Sequence, residues 1–197
     1  MKKPDIIVAL DMVIECFERL GIAYYIGGSV ASSAYGIARA TMDVDLVANV
    51  QTHQANDLLR ALEKDYYIDA DMIRDAIHRR TSFNLIHLET MLKIDVFIVK
   101  DRPYDSQAFA RRRPDTLDEE SSRKLYLSSP EDIILNKLQW YHGGGRVSEQ
   151  QWKDVLGVLK IQGDKLDLKY LKYWASRLNL SDLLNRSFDD AGMVESE

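Results

Sequence analysis

The sequence predicts an α+β fold, a small mixed β-sheet flanked by helices and followed by a C-terminal helical segment. Three observations point to it. Short β-rich runs alternate with helical stretches through the first 127 residues. One of those runs, Asp43–Val47, alternates charged and apolar residues in the period-2 manner of a half-buried strand, and Phe83–Leu88 and Leu92–Val99 are further β-rich runs. From Ser129 onward every apolar pattern has helical spacing.

Taken in order, residues 4–20 read as a helix, because Ile6, Leu10, Val13, Ile14, Phe17 and Leu20 recur at spacings of three and four. Pro4 suits its first turn and Gly21 its end. Ile22–Ile26 is a short strand that runs into Gly27-Gly28, and Ser29–Tyr35 is a short helix stopped by Gly36. After the Asp43 strand, Leu58, Leu59 and Leu62 mark a further helix. Phe83–Leu88 and Leu92–Val99 flank a three-residue link and read as a hairpin. Asp101–Ser122 is polar, carries two prolines and Arg111-Arg112-Arg113, and reads as a long excursion or linker before a last strand at Leu125–Leu127. Ser129-Pro130-Glu131-Asp132 then combines a capping hydroxyl, a proline at the first helical position and acids in the first turn. That helix ends at Gly143-Gly144-Gly145, and others follow at about 149–161, 168–178 and 181–185, with a frayed tail from Ala191. The division we expect is a sheet-bearing domain over 1–127 with the helical region 128–197 packed on it.

Bulk properties narrow the function classes. At 46% hydrophobic and 29% charged the composition is that of a soluble globular protein. No apolar run approaches the roughly 20 residues that span a bilayer, so no membrane partner is expected. The single cysteine, Cys16, rules out an internal disulfide and suits a reducing cytoplasm. A net charge of −5 means that any polynucleotide must meet a local basic patch, for which Arg79-Arg80 and Arg111–Arg113 are the candidates. Both runs read first as solvated surface. His53, His78, His87 and His142 lack metal-ligand spacing and read as surface or packing residues.

The chemistry concentrates in three acids. Asp43 and Asp45, two apart on a strand, share a face with Cα atoms about 6–7 Å apart. Carboxylates that close repel unless a cation lies between them, and their hard oxygens suit Mg²⁺ or Mn²⁺. Asp95 lies in the otherwise apolar strand Ile94-Asp95-Val96-Phe97-Ile98, where a lone acid needs a partner. If that strand neighbours the first, three carboxylates converge, a set that supports in-line phosphoryl displacement with metal ions about 4 Å apart. The plainer alternative is an ion pair of Asp95 with Arg39 or Lys93. Gly27-Gly28-Ser29, just after a strand, offers close backbone approach and amides at a helix start, both favourable to a phosphate.

This arrangement resembles the nucleotidyltransferase superfamily related to DNA polymerase β. The shared features are an apolar residue followed by Gly-Gly-Ser (Ile26–Ser29), a spacer, Asp-x-Asp (Asp43-Val44-Asp45), and a later acid on a neighbouring strand (Asp95). Arg39-Ala40-Thr41 ahead of the acid pair is similar to the bacterial minimal and toxin-type (AbiEii-like) members, as more loosely are the segments around Lys137 and Trp152-Lys153-Asp154. The resemblance implies a catalytic domain over 1–127 and transfer of a nucleoside monophosphate from an NTP to an acceptor hydroxyl of tRNA, protein or a small molecule, with pyrophosphate released. It implies Asp43, Asp45 and Asp95 as catalytic metal ligands, with Asp95 helping to deprotonate the acceptor. Gly27, Gly28 and Ser29 would hold the phosphates, Arg39 and Lys137 would assist, and a toxin-type member would have a cognate antitoxin. Asp154, by contrast, reads as a helix first-turn acid with a capping role. Trp140 and Tyr141 read first as core aromatics and second as a stacking surface. Two other readings stand beside this one, a binding module that has lost the chemistry and an aminoglycoside-type adenylyltransferase.

Overall fold

The computed structural model describes residues 5–116 and 124–193. An amphipathic helix, α1 (Asp5–Arg19), buries Leu10, Val13, Ile14 and Phe17 and leads into β1 (Tyr24–Ile26). Then come α2 (Gly28–Tyr35), β2 (Asp43–Ala48), α3 (Ala55–Leu62), β3 (Tyr66–Tyr67), α4 (Ala70–Arg79), and the strands β4 (Ser82–His87) and β5 (Lys93–Ile98). After them come α5 (Pro103–Ala110), β6 (Arg113–Asp115), β7 (Leu125–Leu127) and the helices α6 (Pro130–Gly143), α7 (Glu149–Gln162), α8 (Leu168–Arg177) and α9 (Ser181–Ala191). The α+β class and the mixed sheet followed by helices are as the sequence predicts.

Several elements depart from expectation. The excursion at 101–122 contains α5, which starts with Pro103 at its first position, and the edge strand β6. Residues 117–122 of that excursion lie outside the described residues. Helix α4, not foreseen, is capped by Asp69, whose side chain accepts from the amides of Asp71 and Met72 at 2.8 Å. Helix α9 runs six residues beyond the expected 185, because Phe188 continues the buried stripe begun by Leu183 and Leu184.

The strands form one sheet in the order β3-β4-β5-β2-β1-β7-β6. The central pair, β2 and β5, is parallel, and β4 with β5 makes the expected antiparallel hairpin. One face of the sheet carries Val44, Leu46, Ala48, Ile94, Val96 and Ile98, all at most 2% exposed, and packs in a single cluster with α1, α3 and α4. Period 2 makes this inevitable: once the even-numbered residues of both strands enter the core, the odd-numbered ones face the other way.

A second cluster joins Ile134, Leu138, Val158, Leu171 and Leu184 of the C-terminal helices with Ala31 of α2 and Tyr104 and Ala108 of α5. Helix α2 meets α7 backbone to backbone. A Cβ on Gly36 would come within 2.9 Å of the Val158 nitrogen, and one on Gly157 within 3.2 Å of the Ile37 nitrogen. The helix that begins at the glycine turn is thereby seated directly on the C-terminal helices.

Candidate active site

On the open face of the sheet, β2 and β5 are paired in register so that Asp45 stands opposite Asp95 and Asp43 opposite Lys93. Asn84 of β4 is opposite Asp95 on its other side. The expectation that the Asp95 strand neighbours the Asp43 strand therefore holds. Register partners in a sheet project the same way, so four charged side chains crowd one patch.

The patch contains its own cation. Lys93 Nζ donates to Asp95 Oδ2 at 2.8 Å and lies 3.9 Å from Asp43 Oδ1. The alternative of an Asp95 ion pair is thus realised with Lys93, while Arg39 is engaged elsewhere. Asp43 is the outermost acid, its side chain 59% exposed against 23% for Asp95. As the side chains stand, no set of three His, Cys, Asp or Glu groups among the described residues is arranged to hold a metal ion. Burial pushes the Asp45 carboxyl above its ordinary range, the nearby Asp95 and Asp43 push it further, and Lys137 and Lys93 pull it back only in part.

The glycine turn abuts this acid. The Gly27 amide donates to the Asp45 carbonyl at 2.8 Å, and Gly28 has a left-handed φ of 53°. A Cβ on Gly28 would fall 1.7 Å from Asp45 Oδ2, so only glycine lets the chain pass here. Ser29, in the first turn of α2, accepts a hydrogen bond from the Arg39 guanidinium.

Arg39 and Lys137 are brought together by a residue whose role the sequence did not reveal. Asp154, 8% exposed on α7, accepts from Arg39 Nε at 3.1 Å, from Lys137 Nζ at 2.7 Å and from Gln150 at 2.9 Å. Burial alone would raise its carboxyl, but the bonds from Arg39 and Lys137 outweigh that and hold it below the ordinary range. The reading of Asp154 as a helix first-turn cap is corrected, because Ser148 caps α7. No local signal could have shown the link, since Arg39 and Asp154 are 115 residues apart. The result is a cationic wall in which Arg39 bonds Ser29 and Lys137 lies within electrostatic reach of Asp45.

The remaining candidates resolve plainly. Tyr141 is buried at 7% exposure, as a core aromatic should be, but Trp140 is 63% exposed with its ring 6.3 Å from that of Phe97. Both arginine runs have intramolecular partners: Arg79 with Asp75, Arg80 with Asp101, and Arg111 and Arg113 with the buried Glu131. Arg112 lies over the rings of Phe109 and Tyr126. His87 is buried against Thr90. No helix among the described residues is long and apolar enough to cross a membrane.

Compared with known proteins, the sequence matches no family model and no curated protein. The architecture does match solved structures. The crystal structure of ANT(2'')-Ia in complex with adenylyl-2''-tobramycin superposes with a TM-score of 0.61 over 89% of this chain and 98% of that one, at 11% identity. The solution structure of the same antibiotic-resistance factor gives 0.57 over 91% and 96%, at 13% identity. An antigenic nucleotidyltransferase-like protein from Paracoccidioides brasiliensis gives 0.53 over 91% of each chain, at 20% identity. The fold is the nucleotidyltransferase fold. Coverage of 89% of this chain means that the likeness extends beyond the sheet into the C-terminal helices. At these identities the likeness concerns architecture, and the chemistry rests on the residues described above.

Proposed function

We propose that this protein transfers a nucleoside monophosphate from an NTP to an acceptor hydroxyl, releasing pyrophosphate, with a divalent ion at Asp43, Asp45 and Asp95. The observation that carries the reading is the register pairing of Asp45 with Asp95 on the open face, directly beside Gly28 and Ser29. Hard carboxylate oxygens fit Mg²⁺ or Mn²⁺, and burial first, with the neighbouring Asp95 and Asp43 second, raises the Asp45 carboxyl, so a cation beside it would favour its ionised form. Lys93 occupies the cation position between Asp95 and Asp43, so it must swing aside for the ion to enter. Bound there, the metal would neutralise charge on the α-phosphate and the leaving group.

The chain's own groups divide the remaining work. The backbone at Gly27 and Gly28 and the Ser29 hydroxyl receive the β- and γ-phosphates at the start of α2. Arg39 and Lys137, fixed by Asp154, supply positive charge where pyrophosphate departs. Asp95 orients the acceptor hydroxyl and takes its proton as the new O–P bond forms and the bond to pyrophosphate breaks. A polynucleotide acceptor, as for a toxin-type enzyme acting on tRNA, draws little support from the arginine runs, since Arg111 and Arg113 are paired with Glu131 and Asp132, and Arg79 and Arg80 with Asp75 and Asp101.

Incubation with each of four labelled NTPs, Mg²⁺ or Mn²⁺ and a cell extract should give a labelled product from at least one nucleotide and release pyrophosphate. Absence of both with every nucleotide, together with no Mg²⁺-dependent nucleotide binding by calorimetry, would leave a binding module that has lost the chemistry.

A further inference from the structure

In-line displacement places the entering hydroxyl and the departing pyrophosphate on opposite sides of the reacting phosphorus. The sheet order β4-β5-β2-β1 translates that requirement into positions. The phosphate cradle, Gly28 and Ser29, follows β1 on one side of Asp45, whereas Asp95 stands on β5 at the other. The acceptor must therefore approach over β5 and β4. Phe97 lies on that approach, two residues beyond Asp95 on the same face, and Asn84 of β4 stands beside Asp95. Above them on α6, one turn beyond Lys137, Trp140 places its indole edge-on to Phe97 and leaves 63% of its surface in water.

That exposure is unlike the other two tryptophans. Trp174 is 9% exposed and stacked among Tyr104, Tyr170 and Tyr173, and Trp152 packs on Tyr141 and donates to Asp190. A large aromatic surface left open at the entrance to an acid cluster is suited to lie against the flat face of a ring.

We propose that Trp140 and Phe97 form the acceptor platform, and that the acceptor is a small molecule carrying its reactive hydroxyl on a ring, which stacks on the Trp140 indole while the hydroxyl reaches Asp95. The proposal rests on the nucleotidyl-transfer reading for the role of the acid pair, but the platform itself can be tested without turnover. The small-molecule class follows from the charge distribution: the arginine runs that would track a polynucleotide backbone are paired within the chain, and the open-face patch around Asp95 sets three acids against one cation, Lys93, with Phe97 and Trp140 beside it.

The test is tryptophan fluorescence titrated with three ring-bearing hydroxyl compounds (4-nitrophenyl β-glucoside, tobramycin and uridine), with glycerol as a ringless control and a single-stranded oligoribonucleotide as a polymer. We expect at least one ring compound to produce a saturable change in the wild-type protein, and glycerol to produce none. In Trp140→Phe the Trp152 and Trp174 signals remain as internal reporters but the response to that compound disappears, and calorimetry shows its affinity reduced roughly tenfold in Trp140→Ala. Mg²⁺-dependent NTP binding should be the same in both variants as in the wild type. The proposal is overturned if no ring compound gives saturation, if Trp140→Phe responds as the wild type does, or if only the oligoribonucleotide saturates. A wild-type protein that binds a ring compound through Trp140 but no Mg²⁺–NTP would keep the platform and remove the transferase reading instead.

Discussion

The two faces of β2 and β5 are made by the same twelve residues and could hardly differ more. Val44, Leu46, Ala48, Ile94, Val96 and Ile98 are sealed under α1, α3 and α4, and their removal from water stabilises the fold. Asp43, Asp45, Lys93 and Asp95 interleave with them on the opposite face and place like charges side by side. The lesson is one of division of labour within a strand. The buried face fixes the register, and the register then forces Asp45 and Asp95 together at a cost that burial on the first face offsets.

That contrast predicts which substitutions damage function and which damage stability. The largest effect is expected at Asp45. Asp45→Asn should lower nucleotide transfer by about 10³-fold, the scale for losing a principal electrostatic contributor. Its stability should move the other way. Because the folded Asp45 carboxyl is raised, its ionisation disfavours the fold, and this penalty is absent below the ordinary carboxylate range and grows as pH rises through the raised value. Asp45→Asn should therefore melt higher than wild type at neutral pH, with the two converging near pH 3. A lower Tm at neutral pH would contradict this.

Next comes the cationic wall. Asp154→Ala leaves Lys137, 5% exposed, without its carboxylate, and should cost about 3–5 kcal/mol in urea unfolding as well as activity. The lowered Asp154 carboxyl gives stability that is full above the unfolded carboxylate value and fades as pH drops through the folded one. The loss in Asp154→Ala should accordingly shrink in acid. On the closed face, Leu46→Ala should cost about 2–5 kcal/mol by cavity formation while the folded fraction keeps its turnover. If Leu46→Ala abolished turnover at full folding, the separation of the two faces would fail. The smallest expected effect is at Lys93. Lys93→Gln removes the competing ammonium and should tighten Mn²⁺ binding by about three- to tenfold in calorimetry. Unchanged or weaker binding would mean that Lys93 and the ion do not share a position.

The sequence made the acid strands legible because charged and apolar residues alternate at Asp43-Val44-Asp45-Leu46, and Asp95 stands out in an otherwise apolar run; a single register slip would have buried the acids. The hairpin and the Ser129 cap were legible for the same local reasons, and Ser129 does accept from the Asp132 amide. Helix α4 escaped because only Ile73 and Ala76 are buried in a segment dominated by Asp and Arg, although Asp69 supplied a cap that could have signalled it. Helix α5 has no side-chain cap and buries only Tyr104 and Ala108, which leaves hardly any apolar period to read. At the site, the pairing of Asp45 with Asp95 could be anticipated from strand chemistry. The grip of Asp154 on Arg39 and Lys137, and the exposure of Trp140, belong to tertiary packing, which no local pattern encodes.

The bare backbone meeting at Gly36 and Gly157 has one more consequence. A side chain on either glycine would act as a wedge, prising apart the helix that carries Ser29 and the helix that carries Asp154. The phosphate cradle and the cationic wall are thus set at a fixed span by two missing methyl groups. The C-terminal third cannot be trimmed or exchanged as an independent accessory without resetting the distance across which a triphosphate would have to reach.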